Sequence, residues 1–360
     1  MNSKIIKNTD TLSVEQTTVL KGIGILMILF HNYFIIPLDS RFYNEEKFNA
    51  QNIFTFLDNL WPIQWHESFS ALCIFFGHYG VQIFIFCSAY GLAQIYNKKP
   101  LTDYKIHLKK RLAKLSILVG IGIVGFLIYH YFHYGQLYPS KLIAKNLVLL
   151  FSTVGVFHKD WLYSMFSGPF WYFGLTIQMY LVFPLLYRLF LKWGIIKCFL
   201  FSYAIIYPLY GVDYHSQFTV FGNLLGHLPE VFFGFYLAKN GLSSLNLKLI
   251  IPAVVIYPFT QYSVILYPLS FLSILILLIS TFKYLLPRLP KLTYSNLLYI
   301  GEISMSIFIL NGFLRLSSFV YIGNTILRAE RVFLYAILVI IISHFVTKLY
   351  HFILKQYELR

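Results

Sequence analysis

Apolar residues in this chain gather into long runs separated by polar stretches. A helix that crosses a bilayer needs about 20 mostly apolar residues. Runs near that length fall at 18–37, 72–95, 112–133, 168–190, 195–211, 224–240, 247–260, 263–286, 297–320 and 331–355. This pattern predicts an all-α polytopic membrane protein of about ten transmembrane helices. The segment 142–157 is apolar but short, which predicts an interfacial or re-entrant piece. The expected organisation is a polar tail at 1–17, one transmembrane domain at 18–355 and a short tail at 356–360. No internal repeat stands out, which counts against a transporter built from two related halves.

Composition narrows the class. Hydrophobic residues make up 58% of the 360 and charged residues only 12%, about half the charge of a soluble domain. A soluble globule of this make-up would expose large apolar patches, and a disordered chain is excluded by the same figures. The net charge of +15 would suit nucleic acid on a soluble protein, but this composition leaves too little polar surface for a nucleic-acid face. It suits cytoplasmic loops instead. With ten spans and both termini in the cytoplasm, the inner segments hold 21 of the 29 Lys and Arg, as the positive-inside rule asks. The 38–71 segment is acidic, with Asp39, Glu45, Glu46, Asp58 and Glu67. The first apolar run has no small-residue cleavage site after it, so it reads as a retained helix. Cys73, Cys87 and Cys198 lie in apolar runs with no spacing that suggests a disulfide framework or a metal.

The long connections 38–71 and 134–167 carry His66, His130, His133, His158, Trp61, Trp65 and Trp161. They read as an interfacial aromatic belt or as a lid over an outward-facing acceptor site. Ionisable groups inside spans are expensive and point to function. His31 lies ten residues beyond Lys21, about 15 Å along a helix. It is either a neutral base or a structural histidine bonded to a neighbouring helix. Arg111 and Lys114, one turn apart at the start of the third run, have a geometry for gripping a phosphorylated ligand. In the second run Gly77, Gly80, Ser88 and Gly91 fall near one face, which suggests close helix contact or a reactive Ser88. Gly301, Ser304, Asn311 and Arg315 share a face of the ninth run, where Asn311 needs a partner and Arg315 reads as a snorkelling side chain. Glu230 is an acid well inside the sixth run.

Taken in order, these elements resemble the acyltransferase-3 family of membrane O-acyltransferases. Leu20 to His31 is similar to its first-helix signature, and Gly80 to Gly91 to its Phe-rich, Ser-Gly-Tyr element. Arg111-Leu-Ala-Lys114 is similar to its Arg-x-x-Arg. Trp171, Gln178, Tyr180 and Pro184 resemble its fourth helix, and Ile300 to Phe308 its Gly-x-x-Ser element. The departures are Lys114 for Arg, Ala89 for Gly, Asn311 for His, nine residues between Lys21 and His31 where ten is commoner, and Thr176 or Ile177 where an acid is usual.

The resemblance implies a ten-helix enzyme of the bacterial inner membrane. Such an enzyme moves an acyl group, usually acetyl, from cytoplasmic acyl-CoA to a hydroxyl of a cell-surface glycan or lipid-linked precursor. Acyl-CoA would be a co-substrate, and no permanently bound cofactor or metal is expected. Arg111, Lys114 and Lys21 would hold the CoA phosphates. The pantetheine arm would thread between the first three helices towards His31, the general base. Asn311, Ser88 or Tyr90 would stabilise the oxyanion, with a covalent intermediate on Ser88 or His31 left open. Trp171, Gln178, Glu230 and Tyr90 are the candidate acceptor contacts. The rival reading is a transporter or flippase of glycan intermediates, which predicts paired charges at the midplane. A glycan polymerase or ligase would carry a large external loop rich in Arg and His, and a scaffold would not bury His31 and Glu230.

Overall fold

The computed structural model describes residues 10–35, 43–45, 48–61, 64–98, 104–164, 166, 168–316 and 325–357. Among them the chain is helical, with one isolated β-bridge between His158 and Phe218. The first helix, α1 (Val14–Ile35), begins with a capping box. The Gln16 backbone N–H donates to Ser13 Oγ at 3.1 Å, and the Ser13 N–H donates back to Gln16 Oε1 at 2.8 Å. Two short helices, α2 (Gln51–Leu60) and α3 (Trp65–Phe76), lead through a 3₁₀ turn at Gly77–Tyr79 into α4 (Gly80–Lys98). Next come α5 (Tyr104–Tyr134), α6 (Ser140–Phe151), α7 (Lys159–Ser164) and the long α8 (Trp171–His215). The series ends with α9 (Leu228–Asn240), α10 (Leu247–Thr260), α11 (Ser270–Leu285), α12 (Lys291–Glu302), α13 (Ser304–Leu314) and α14 (Thr325–Gln356).

Among the described residues, six stretches are long and apolar enough to cross a membrane: Val14–Ile35, Trp65–Lys98, Tyr104–Tyr134, Trp171–His215, Tyr267–Arg288 and Ala329–Gln356. A seventh arises if α12 and α13 form one span. The expectation of ten does not carry over to this measure, for three physical reasons. Gly194 (φ 74°, ψ 175°) kinks the chain between the fourth and fifth runs, so α8 is two helices, one for each run, that this measure counts as a single stretch. The sixth and seventh runs become α9 and α10, of 13 and 14 residues, which rise only about 20 Å against a hydrocarbon core of about 30 Å. The ninth run breaks at Ile303 with a 69° bend, so Gly301 and Asn311 do not share one continuous helix face. The expected loops at 38–71 and 134–167 carry helices too, α2 and the start of α3 in one, α6 and α7 in the other.

Large apolar side chains face outward on several helices, including Val124, Ile128, Leu185, Ile196, Leu200, Ile251, Phe345 and Phe352. Water does not tolerate such a continuous surface, whereas lipid does. The protein is an integral membrane protein. Close helix crossings hold its centre. A Cβ on Gly22 would stand 2.1 Å from the Leu297 carbonyl oxygen, and one on Gly301 would stand 1.9 Å from that of Thr18. On the other side of α1, a Cβ on Gly80 would meet the Gly24 carbonyl oxygen at 2.3 Å. Small residues let the backbones of α1, α4 and α12 touch, where larger ones would hold them apart.

Candidate active site

Two polar regions flank the crossing of α1 and α4. The first is a cavity of about 350 Å³. Lys21 of α1, Ser88 and Gly91 of α4, Arg111 and Lys114 of α5, and Thr176 and Tyr180 of α8 line it, with Met305 of α13 and Tyr350 of α14. Arg111 is fixed in two ways. Its Nε donates to His107 Nε2 at 2.6 Å, and its guanidinium lies 5.4 Å from the centre of the Tyr180 ring. Three cations with few acids nearby suit a polyanion, and the aromatic wall suits a flat ring or an alkyl chain. At its far end the cavity reaches Phe84 and Tyr172. Their rings pack with Phe308 at centroid distances of 5.2 to 6.3 Å.

The second region surrounds His31, which does not line the cavity. His31 is buried, and its Nδ1 lies 2.9 Å from the Ile74 carbonyl oxygen. A carbonyl only accepts, so Nδ1 carries the proton and Nε2 of the neutral ring keeps its lone pair. The backbone approaches closely here, since a Cβ on Gly77 would stand 2.5 Å from His31 Cβ. The rings of Tyr43 and His78 lie 4.7 and 5.6 Å from the imidazole. Next to His31, Asn32 Oδ1 accepts from Arg315 Nη1 at 2.6 Å, so Arg315 is tied inward. Two turns separate His31 from Gly24, where Phe84 packs, a rise of about 10 Å. The aromatic group therefore stands between the cationic cavity and the histidine.

A family model for an acyltransferase domain matches residues 16–348. The chain belongs to the acyltransferase-3 family. No curated protein and no solved structure matches it. It is thus a membrane acyltransferase.

Other residues singled out in this acyltransferase have partners that sequence could not foresee. The Tyr90 hydroxyl accepts from the Leu12 N–H at 2.8 Å and from Gln94 Nε2 at 3.1 Å. It anchors the segment before α1 and is not among the residues lining the cavity. Gln178 Oε1 accepts from the Leu224 N–H at 2.9 Å and so ties α8 to the turn before α9. Trp171, half-buried, opens α8 and packs edge-on to Tyr172. Glu230 is fully buried, with Oε1 3.4 Å from His227 Nδ1. Asn311 Oδ1 accepts from the Tyr335 hydroxyl at 2.7 Å, and its Nδ2 has no partner among the described residues.

Two groups near His31 escaped the sequence reading. His78 follows a glycine at the head of α4, where only the glycines drew notice. Glu45 was counted merely as one of several acids, yet burial pushes its carboxyl up from the ordinary 4.5 to about 7, against the opposing pull of Arg315 and His227. The signal was an ionisable residue inside an apolar run, for His78, or between two of them, for Glu45. It becomes informative only when distant elements close over it. No cluster of His, Cys, Asp or Glu suited to a metal occurs among the described residues.

Proposed function

We propose that this acyltransferase takes an acyl group, most simply acetyl, from cytoplasmic acyl-CoA and places it on a hydroxyl of a cell-surface glycan or its lipid-linked precursor, in a bacterial inner membrane. The observation that carries this reading is the meeting of Lys21, Arg111 and Lys114 with Ser88 on one cavity. Four positions from three separate helices meet there, and three are cations matched to the phosphates of CoA. The thioester arm would run along Ser88 towards Phe84 and Tyr172. Those rings, with Phe308, must part for the carbonyl to come near His31.

In the reaction the acceptor oxygen attacks the thioester carbonyl carbon as His31 Nε2 takes the hydroxyl proton. The new C–O bond forms and the C–S bond breaks. The departing thiolate receives the proton, giving an ester and free CoA thiol. Asn311 Nδ2 and the Ser88 hydroxyl are the donors available to a developing oxyanion.

The test is acetyl-CoA binding to detergent-purified protein. At a hundredfold excess over Kd the ligand should stabilise the wild type by about 2.7 kcal/mol. Arg111→Ala should lose most of that shift while folding normally. A folded wild type with no response to acetyl- or longer acyl-CoA would refute the reading.

A further inference from the structure

The cations at the start of α5 do not all serve the cavity. Lys105, Lys109, Lys110, Arg111 and Lys114 fall close together in the chain, and the helix sorts them by face. Arg111 and Lys114 line the cavity already described. Lys105 and Lys109 line a separate, open groove of about 410 Å³, together with Leu108, Leu112, Ala113 and Ser116. These six positions recur as i, i+3, i+4, i+7, i+8 and i+11, so they form one stripe along the helix. Lys110 lines neither site. Charge that only orients a chain in its membrane works from any face of a helix. A pair of lysines at the mouth of a groove points to a ligand.

Polarity changes along that stripe. Lys105 and Lys109 are exposed, and neither forms an ion pair among the described residues. Both precede the apolar run 112–133, which Leu112 and Ala113 open. Leu108, Leu112 and Ala113 are half-buried, and the stripe ends on the exposed Ser116. From Lys105 to Ser116 the helix rises about 16 Å, roughly half of a hydrocarbon core. The whole of α5, at 31 residues, rises about 46 Å and outruns that core. Its basic first turns therefore stand at headgroup depth, with Leu112 and Ala113 beside the upper part of the chains.

A charged head followed by an apolar tail is the order of a lipid, and two exposed lysines select a negative head. A second copy of the chain fits this face less well. Six side chains of one helix are far fewer than the roughly 20–30 residues that a stable interface takes from each partner. A two-fold axis through the face would also set the same lysines against each other.

We propose that the face of α5 from Lys105 to Ser116 is a binding site for an anionic phospholipid. The headgroup phosphate sits between the Lys105 and Lys109 ammonium groups, which act as point charges. One acyl chain lies along Leu108, Leu112 and Ala113. The site shares no residue with the cationic cavity and stands independently of the acyl-transfer reading.

The experiment is native mass spectrometry of the full chain, purified in detergent and stripped of lipid. It is titrated with dioleoyl phosphatidylglycerol or with phosphatidylcholine of the same chains. Wild type should prefer the anionic lipid about thirtyfold, the worth of two lysines at an anionic surface. Lys105→Ala with Lys109→Ala should lose that preference while phosphatidylcholine binding stays within about twofold. Ala113→Trp keeps both charges and fills the groove, and should weaken both lipids. Lys110→Ala removes a charge outside the groove and should bind like wild type. Thermal melting checks that each variant is folded. Equal affinity of wild type for the two lipids would overturn the proposal, and so would a double variant that matches Lys110→Ala. Displacement of the lipid by inorganic phosphate at equal concentration would also overturn it, since the ligand would then be a free anion. A lipid-independent dimer that Ala113→Trp breaks would give the face to a second copy instead. None of these results depends on whether acetyl-CoA binds.

Discussion

At the scale of single residues, His31 depends on one bond. The Ile74 carbonyl holds its Nδ1 proton and so dictates which nitrogen can act as a base. His31→Ala should lower acyl transfer by about 10² to 10⁴, the usual worth of a general base. Acetyl-CoA binding should persist, because the imidazole lies outside the cationic cavity. Radiolabel transfer and thermal shift, measured on one preparation, check both halves. Glu45 gives a separate prediction. Its carboxyl is pushed up to about 7 by burial, so the folded protein holds that proton more tightly than the unfolded chain. Ionising it opposes folding, and the penalty grows as pH rises from about 4.5 through about 7. The melting temperature of Glu45→Gln should match wild type near pH 4 to 5 and exceed it near pH 8. A variant less stable than wild type at about pH 8 would mean that the charged carboxylate is net favourable beside Arg315.

Lys21, Arg111 and Lys114 were readable as one group because each lies near the start of its apolar run. Arg111 and Lys114 lie one turn apart, and Lys21 and Ser88 sit at depths the apolar runs imply. Tyr90 and Gln178 were not readable. Their partners, Leu12 and Leu224, lie 78 and 46 positions away in the chain. A side chain with a hydroxyl or amide looks the same in sequence whether it binds substrate or a remote backbone group. Only the fold distinguishes the two.

At the scale of elements, helix contact through glycine decides where the two polar regions stand. Gly22 lets α12 lie directly on α1, and Gly80 lets α4 do the same from the other side. Gly22→Ala would drive a Cβ into the Leu297 carbonyl oxygen, which backbone cannot yield cheaply. We expect it to destabilise by about 1–3 kcal/mol, the usual effect of overfilling a close contact, and to lower acetyl-CoA affinity because the preceding residue, Lys21, lines the cavity. Gly91→Ala, with open space around its Cβ position, is the control and should melt like wild type. Both glycines occur in apolar runs, but the sequence singled out only Gly91, with Gly77 and Gly80, as a candidate for close contact. The structure separates them: Gly91 lines the cavity, whereas Gly22 carries a crossing. The bend at Ile303 is likewise a matter of element geometry. Nothing in that run marks a break, because no proline or left-handed glycine sits there.

For the whole molecule, composition was sufficient for the class. Few charges and long apolar runs leave no way to fold in water, so an all-α membrane protein follows from solvation alone. The order of short motifs from Leu20 to Phe308 pointed to the acyltransferase-3 family, which matches residues 16–348. What amino-acid pattern could not decide is how runs become helices of a given length and bend. Hydropathy averages over a window, while helix length answers to caps, to Gly194 and to neighbours. Nor could it decide which polar side chains come together. Lys21, Ser88 and Arg111 reach one cavity, and His31, His78, Tyr79, Tyr257 and Ser270 another region, from helices far apart in the chain. Solvation acts on each residue separately and is therefore written in the order of the amino acids. Proximity between distant helices depends on every crossing at once, and only the folded chain sets it.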